Sequence, residues 1–225
     1  MKKISPLIFV PLLILGTLGL TSCEKKASGL PVDGDGNYYD TVVIGTQVWL
    51  KGNLKTTKFN SGAPIHLETD PSKWYPVSLP AYCWYDNVEG LKDTYGALYN
   101  WRAARLGTLC PKGWHTPTIE EWTTMINYLG GEQVAGDKLK ETGTTHWISN
   151  EGATNETGFT ALPGGGREWN GTYDFIGLHG TWWTSSPSYD DTAWQVYVYT
   201  GSPKIGSVRF PTEAGYSVRC VKDNW

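Results

Sequence analysis

The strongest folding signal in the chain lies in residues 110–122, where a turn-forming loop leads into an amphipathic helix. The Thr118 hydroxyl can accept a hydrogen bond from the Glu121 amide while the Glu121 carboxylate accepts one from the Thr118 amide, and this reciprocal capping box begins helices. Apolar residues then recur at helical spacing, and Gly130-Gly131 can end the helix. The sequence therefore predicts a helix over residues 119–129 with one buried face. The structural motif at its start consists of Trp114, His115, Thr118, Glu121 and Trp122.

The rest of the chain predicts few helices and many short strands. Two β-rich runs flank Gly45-Thr46, which indicates a hairpin of residues 41–44 and 47–50. Helical spacing predicts a first helix over residues 95–106 and one helical turn over residues 135–140. Further strands are expected at residues 158–162, 181–185, 194–199, 207–210 and 216–221.

The run Gly164-Gly165-Gly166 indicates a turn and not a phosphate loop, because no Gly-Lys-Ser/Thr sequence follows it. Two helices early in the chain, with most strands late in a single unit, predict the α+β class.

The first residues have the pattern of a bacterial export signal. Lys2 and Lys3 precede an apolar run over residues 4–20 that is too short and too interrupted by proline for a membrane span. The run ends in Leu20-Thr21-Ser22-Cys23, which resembles the lipobox of bacterial lipoproteins, where the peptide is cut before a Cys that receives lipid. The alternative is an ordinary signal peptide with a coincidental Cys.

These patterns divide the chain into three parts. We expect residues 1–22 to be the signal peptide, residues 23–36 to be a lipidated Cys23 with a polar, Gly-rich tether, and residues 37–225 to be the folded domain. The protein is then expected to be exported and anchored by its lipid in the cell envelope, at the outer membrane or the cell surface. The lipid is its expected membrane contact.

The charge balance argues against nucleic acid as a partner. Removing residues 1–22 takes away two lysines and no acid, so 17 basic and 22 acidic side chains remain and the formal net charge is −5. A phosphate-backbone binder needs a basic run or stripe, and the sequence has neither.

The residues that could suggest a metal do not form a metal-binding pattern. Asp33, Asp35 and Asn37 resemble the start of a calcium loop, but Tyr38 stands where such a loop needs Gly and Ile44 where it needs Glu. The histidines lack paired ligand spacing; they are His66, His115, His146 and His179. We therefore predict no metal, no cofactor and no catalytic residue, although a carboxylate pair for glycoside hydrolysis stays open because its spacing is spatial.

The aromatic residues are mostly amphipathic, with 12 Trp and 13 Tyr against 5 Phe. Such rings suit wet concave surfaces and sugar stacking, and they also fill the core of a loop-rich domain. We expect a carbohydrate-facing patch in the late loops, because its members flank Gly-rich turns. We assign Trp183 to the core, and alternation along the strand puts Trp182 on the opposite face. The expected ligand-binding residues are Trp169, Tyr173, Trp182 and Tyr189.

Once Cys23 carries lipid, three cysteines remain: Cys83, Cys110 and Cys220. In an oxidising compartment this odd number implies one bridge and one leftover thiol.

Several ordered motifs resemble the Fibrobacter succinogenes major paralogous domain family over residues 38–223. They are Gly45-Thr46-Gln47-Val48-Trp49, Asn53-Leu54-Lys55-Thr56-Thr57, Tyr95-Gly96-Ala97-Leu98-Tyr99-Asn100-Trp101, residues 110–122, Gly158-Phe159-Thr160-Ala161-Leu162-Pro163-Gly164-Gly165, Trp183-Thr184-Ser185-Ser186 and residues 215–223.

The resemblance implies a C-type lectin-like fold, with two helices flanking a small, loop-rich, twisted antiparallel sheet whose terminal strands lie close together. It also implies placement at the cell surface of Bacteroidetes-like bacteria. A lectin-like fold would bridge Cys110 with Cys220. The leftover Cys83 then stands among aromatic residues, where we expect a buried thiol with a raised pKa.

We expect a binding or adhesion module for a carbohydrate or surface-protein ligand. Calcium-dependent lectins use Glu-Pro-Asn or Gln-Pro-Asp and Trp-Asn-Asp motifs, which this sequence lacks, so any glycan binding would rest on aromatic rings and polar loops. Two alternatives stay open. One is an enzyme, related to sulfatase-modifying factors or acting on glycans, and the other is a structural component of a surface assembly.

Overall fold

The computed structural model describes Met1 and residues 29–223. Cys23 and the expected signal peptide therefore lie outside the described residues, apart from Met1. Residues 31–36, which composition assigned to a flexible tether, pack against the domain instead. Asp33 is buried and accepts hydrogen bonds from the Asn37 amide at 2.9 Å and the Tyr39 hydroxyl at 2.7 Å, so the ordered domain begins before residue 37.

The described chain forms thirteen strands and five short α-helices. The strands are β1 (Thr41–Ile44), β2 (Gln47–Leu50), β3 (His66–Leu67), β4 (Ala81–Cys83), β5 (Leu98–Asn100), β6 (Trp114–His115), β7 (Gly164–Arg167), β8 (Tyr173–Ile176), β9 (His179–Pro187), β10 (Thr192–Tyr199), β11 (Ile205–Pro211), β12 (Gly215–Tyr216) and β13 (Val221–Lys222). The helices are α1 (Pro71–Trp74), α2 (Lys92–Tyr95), α3 (Trp101–Ala104), α4 (Ile119–Tyr128) and α5 (Ala135–Leu139), with 3₁₀ turns at Tyr85–Asn87 and Glu89–Leu91.

The described strands form three sheets, in the orders β1-β2-β13-β6, β11-β10-β9 and β3-β4-β5-β12-β7-β8. The pairs are antiparallel except β3 with β4. Sheet dominates and the helices are short, so the architecture is of the α+β class. The hairpin of β1 and β2 is confirmed, with Ile44 opposite Gln47.

Helix α4 begins with the expected capping box. The Thr118 hydroxyl accepts from the Glu121 amide at 3.2 Å, and the Glu121 carboxylate accepts from the Thr118 amide at 2.8 Å. The helix buries Trp122, Met125 and Ile126. It ends before Gly130 and Gly131, both in the left-handed region, as a helix C-terminus favours.

The predicted first helix over residues 95–106 is wrong. The segment contains the end of α2, the strand β5 and the one-turn helix α3. Gly96 interrupts it with a φ of 78°, and a Cβ there would lie 2.6 Å from the Leu54 carbonyl oxygen. Residues 98–100 pair with β4 and β12, so sheet hydrogen bonds replace the helical ones.

The predictions around the glycine run are also wrong in part. Residues 158–162 form no regular strand; Ala161 makes a single bridge to Lys140, and Thr160 takes a left-handed φ of 55°. Gly164-Gly165-Gly166 is part of strand β7 and not a turn. The expected strand over residues 216–221 is divided into β12 and β13, whereas the expected turn at residues 135–140 forms as α5.

Strand β9 is covered on both faces. Trp182 and Trp183 point to opposite faces as alternation predicts, but each belongs to a buried core cluster. Trp182 packs on Trp122 of α4, with ring centroids 5.8 Å apart, and Trp183 packs on Tyr216 at 4.9 Å. The expectation that Trp182 faces a ligand is therefore wrong, because α4 covers the face that a lone hairpin would expose.

Candidate ligand-binding cleft

A cleft of about 470 Å³ opens on the face of the β9–β10–β11 sheet that points away from α4. Residues directly opposite each other on antiparallel strands share a face. Tyr197 lies opposite Thr181 and Gly206, and Gln195 lies opposite Val208, which places these side chains together on the cleft side. The β7–β8 hairpin and Tyr216 form the other wall. The lining residues are Gly165, Gly166, Glu168, Asp174, Phe175, His179, Thr181, Gln195, Tyr197, Val208, Phe210 and Tyr216.

Glycines let aromatic rings approach the strands of the cleft closely. A Cβ on Gly166 would stand 2.4 Å from the Tyr216 ring, and one on Gly206 would stand 2.7 Å from the Tyr197 ring. Gly165 has a φ of 61°, and its Cβ would lie 2.4 Å from the Asp174 carbonyl oxygen. Glycine at residues 165 and 166 is therefore required by close packing beside the cleft.

Phe175 and His179 form a stacked pair at one end of the cleft, with ring centroids 4.5 Å apart and planes 9° apart. Phe175 has a φ of 66°, a conformation that costs a bulky residue energy and that clusters at functional sites. Burial lowers the pKa of His179 and the charge of Asp174 opposes this, with the net shift downward. The imidazole is therefore neutral near pH 7, with one nitrogen free to accept a hydrogen bond.

Two carboxylates, Glu168 and Asp174, face the cleft from the β7–β8 hairpin. Asp174 lies opposite Gly166, and the Glu168 amide donates to the Thr172 carbonyl at 2.7 Å, so the two residues are diagonal neighbours on one face. Burial, followed by the charge of Asp174, raises the pKa of Glu168. Burial and then the charge of Glu168 raise the pKa of Tyr216. These groups therefore interact across a single site.

Gln195 brings an unpaired amide oxygen to the cleft lining. The residue is 6% exposed, and its Oε1 atom is buried with no hydrogen-bond partner among the described residues. A buried polar atom without a partner costs about 1 to 3 kcal/mol, and such atoms in native proteins call for an explanation. Exchange of the amide oxygen and nitrogen by a half-turn lets this side chain accept from or donate to a ligand.

A family model, the Fibrobacter succinogenes major domain, matches residues 42–222 and so spans every residue of the cleft. The chain belongs to this family. Neither the curated proteins nor the solved structures contain a match to the chain.

The structure does not bring together the four aromatic residues that sequence patterns suggested as a ligand patch in this major domain. Trp169 is 46% exposed and packs edge-on against Tyr75, with centroids 5.8 Å apart. Tyr173 is half-buried, and its hydroxyl donates to Asn87 Oδ1 at 2.9 Å. Tyr189 is 75% exposed in the β9–β10 connection. These three lie outside the cleft lining, as does the buried Trp182.

At the start of α4 in this major domain, the two ring nitrogens of His115 contact Asp223 and Glu121. We call these three residues the His115 clasp. His115 Nδ1 lies 2.6 Å from Asp223 Oδ1, and Nε2 lies 2.8 Å from Glu121 Oε1. The hydrogen bond to Glu121, supported by the one to Asp223, raises the pKa of His115 to about 9. The clasp ties the helix start to the end of the domain beside buried Trp114, so its role is structural.

The described cysteines match the expected pairing. Cys110 and Cys220 form a disulfide, and Cys83 is free and buried. Burial raises the pKa of the Cys83 thiol. A thiolate is the reactive form of cysteine, so this thiol is poorly suited to nucleophilic chemistry.

Sequence reasoning missed four polar residues of the cleft: Glu168, Asp174, His179 and Gln195. One signal was available for Gln195, a polar residue within the apolar alternation of β10. The other three stand in segments of mixed polarity that carry no periodic pattern.

No three His, Cys, Asp or Glu side chains gather into a possible metal site within residues 29–223.

No helix in the described part of the chain is long and apolar enough to cross a bilayer.

Proposed function

We propose that this chain is an exported, lipid-anchored binding module and that its cleft binds a carbohydrate without calcium. The observation that carries the proposal is the combination of an aromatic lining with an unpaired polar atom. Phe175, Tyr197, Phe210 and Tyr216 supply rings, and Gln195 supplies a buried Oε1 that has no partner within the described protein. A sugar presents an apolar C–H face to rings and hydroxyls to such polar groups.

The size of the cleft supports a small-molecule or oligosaccharide ligand. Its volume of about 470 Å³ falls within the range of about 300 to 1,000 Å³ that small-molecule sites occupy. Because the cleft is open on one side, a chain of sugars can extend beyond it.

The C-type lectin-like kind of α+β fold is part of this proposal. It is supported by the closeness of the first and last strands, since β1, β2 and β13 belong to one sheet.

The lipid anchor rests on the pattern of Lys2, Lys3 and the Leu20-Thr21-Ser22-Cys23 sequence. Mass spectrometry of the membrane-extracted protein should find an acylated N-terminal Cys23, and Cys23→Ala should release the protein. An uncut or unacylated chain contradicts the anchor.

A glycan array with the purified full chain tests the binding role. Tyr197→Ala removes a ring from the cleft and should abolish or weaken the array signals by about tenfold. Tyr189→Ala removes an exposed ring outside the cleft and serves as the matched control, with signals unchanged. Absence of any glycan signal from the wild type, or equal loss in both variants, contradicts the proposal.

One observation favours a second function, the hydrolysis of glycans. Glu168 and Asp174 share the cleft, and the raised pKa of Glu168, caused first by burial, suits a general acid in a site with two carboxyl groups. Release of reducing ends from a bound oligosaccharide, lost in Glu168→Gln, would establish hydrolysis. Stable binding without release supports the binding module.

A further inference from the structure

The charged side chains of the cleft lining are all acidic. Glu168 and Asp174 line it, and no Lys or Arg of the described residues does. The pKa of His179 is lowered by burial, so the imidazole adds no positive charge near pH 7. The negative potential of these two carboxylates is therefore not neutralised within the lining.

The carboxylates are placed to act together on one ligand group. They project from the same face of the β7–β8 hairpin as diagonal neighbours, a relation that brings Cα atoms to about 7 to 8 Å. Asp174 is also held in place, because its Oδ1 accepts from the Phe175 amide at 2.7 Å. A small cation can therefore contact both carboxylates.

Two further features of the lining suit a cation that is part of a larger ligand. The aromatic rings of Phe175 and Tyr197 line the cleft, and a ring face attracts a cation within about 6 Å. Gln195 is buried with an unpaired Oε1, which can accept from an N–H or O–H group. These observations are independent of the carboxylates and also point to a ligand with hydrogen-bond donors.

We propose that the ligand of the cleft is an amino sugar whose free amine is protonated and is held by Glu168 and Asp174. This inference rests on the proposed carbohydrate-binding function. Acetylation of the amine removes its charge and weakens binding. Uronic acids, sulfated sugars and phosphates are repelled by the two carboxylates.

Titration calorimetry with three β-1,4-linked tetramers tests the proposal, using the full chain at about pH 6, because the neighbouring ring oxygens lower the pKa of the sugar amine to that of an α-amino group or below and a lower pH keeps it protonated. The probes are the glucosamine tetramer, the N-acetylglucosamine tetramer and cellotetraose, which differ at one ring position. We expect the glucosamine tetramer to bind at least about tenfold more tightly than the other two. The difference should shrink at high salt, as charge pairing requires.

The matched variants are Asp174→Asn and Asp190→Asn, which each remove one charge. Asp174→Asn keeps an oxygen that can accept from the Phe175 amide, and it should reduce the preference for the amine by about tenfold. Asp190 is exposed in the β9–β10 connection with a left-handed φ of 53° that Asn tolerates, so its variant should keep the preference. Urea unfolding of each variant establishes that it is folded.

The outcomes distinguish a failure of the amino-sugar inference from a failure of the proposed carbohydrate-binding function. If cellotetraose binds as tightly as the glucosamine tetramer or more tightly, the proposed role of the amine is wrong. The proposal that the cleft binds carbohydrate is then retained. If a lysine tripeptide binds more tightly than the glucosamine tetramer, the ligand is not an amino sugar and the cleft is assigned to a protein ligand. If none of the tetramers binds, the amino-sugar inference fails, and the proposed function fails with it only if the wild type also gives no signal on the glycan array.

Discussion

The Phe175 ring stacks on the His179 imidazole at 4.5 Å, and it does so from a left-handed backbone position. The Asp174 carboxylate accepts from the Phe175 amide at 2.7 Å and helps to hold this conformation. Strand β8 and the start of β9 therefore place a ring, a neutral imidazole and a carboxylate at one end of the cleft. A backbone strain of about 1 to 3 kcal/mol at such a residue is typical of sites under functional constraint.

Replacement of Phe175 tests whether this stack serves binding. Phe175→Gly relieves the left-handed strain while removing the ring, so we expect the free energy of unfolding to stay within about 1 kcal/mol of wild type. Glycan affinity should fall by about tenfold, because a stacked contact is lost. Urea unfolding and calorimetric titration measure the two effects. A large loss of stability with unchanged affinity would assign the ring to packing alone.

Gly166→Ala tests the close approach of Tyr216. Its Cβ would meet the Tyr216 ring at 2.4 Å, so we expect about 1 to 3 kcal/mol of destabilisation and weaker glycan binding. Gly164→Ala is the matched control, since its Cβ would meet its nearest neighbour, Tyr95, at 3.4 Å. Thermal and urea unfolding compare the two. Equal effects in both variants would show that the Tyr216 ring is not the reason for glycine at residue 166.

Trp182→Ala should destabilise the domain by about 3 to 5 kcal/mol through a cavity under α4. The indole also donates to Asn53 Oδ1 at 2.8 Å, and its loss removes a hydrogen bond from a buried network. Trp183→Ala should cost a similar amount on the other face of β9. Glycan affinity of the folded fraction should stay unchanged for Trp182→Ala, because α4 covers that ring. A selective loss of affinity would show that Trp182 contacts the ligand.

The His115 clasp predicts a dependence of stability on pH. The pKa of His115 is raised to about 9 in the folded protein, from an ordinary value of 6.5, chiefly by Glu121. A raised pKa contributes stability that is fully present below about pH 6.5 and is lost as the pH rises through about 9. Because the site is half-buried, we expect a loss of about 1 to 2 kcal/mol.

Glu121, the acidic partner of His115, contributes to the dependence of stability on pH in the opposite direction. Burial tends to raise the pKa of Glu121, but hydrogen bonds from His115 and Thr118 lower it overall. Its stabilisation is therefore present above the ordinary value of 4.5 and is lost as the pH falls through the lower folded value. Urea unfolding from about pH 3 to 10 should show the alkaline loss in wild type and in His66→Gln, but not in His115→Gln. An unchanged alkaline loss in His115→Gln would contradict the assignment.

The disulfide should be a main contributor to stability. It joins residues 110 positions apart, for which chain entropy gives at most about 4 to 5 kcal/mol. Reduction should lower the free energy of unfolding by up to this amount. Peptide mapping without reductant should recover Cys110 joined to Cys220 and Cys83 as a thiol; a bridge that includes Cys83 would contradict the structure.

Local signals in the sequence predicted local structure well. The Thr118–Glu121 capping box begins α4 as expected, because both hydrogen bonds form within a single turn. The alternation of Trp194 to Tyr199 predicted strand β10, and the β1–β2 hairpin follows from its turn residues. The family resemblance added the Cys110–Cys220 pairing, which spacing alone left open.

The failures involve contacts between distant segments. Gly166 is a strand residue because the Tyr216 ring lies on it, and residues 98–100 form β5 because β12 pairs with them. Trp182 is buried by a helix some sixty residues earlier in the chain. The cleft itself combines β7–β8, β9–β11 and Tyr216, so its polar residues could not be grouped from local pattern.

The most direct test of the proposed cleft is nuclear magnetic resonance of the ¹⁵N-labelled full chain titrated with the tightest-binding oligosaccharide from the array. We predict that the amide shifts that move will cluster in residues 165–168, 174–181, 195–197 and 206–210. Shifts confined to Tyr75, Trp169 and Tyr189, or spread evenly over the domain, would contradict a glycan site between the β7–β8 hairpin and the β9–β10–β11 sheet.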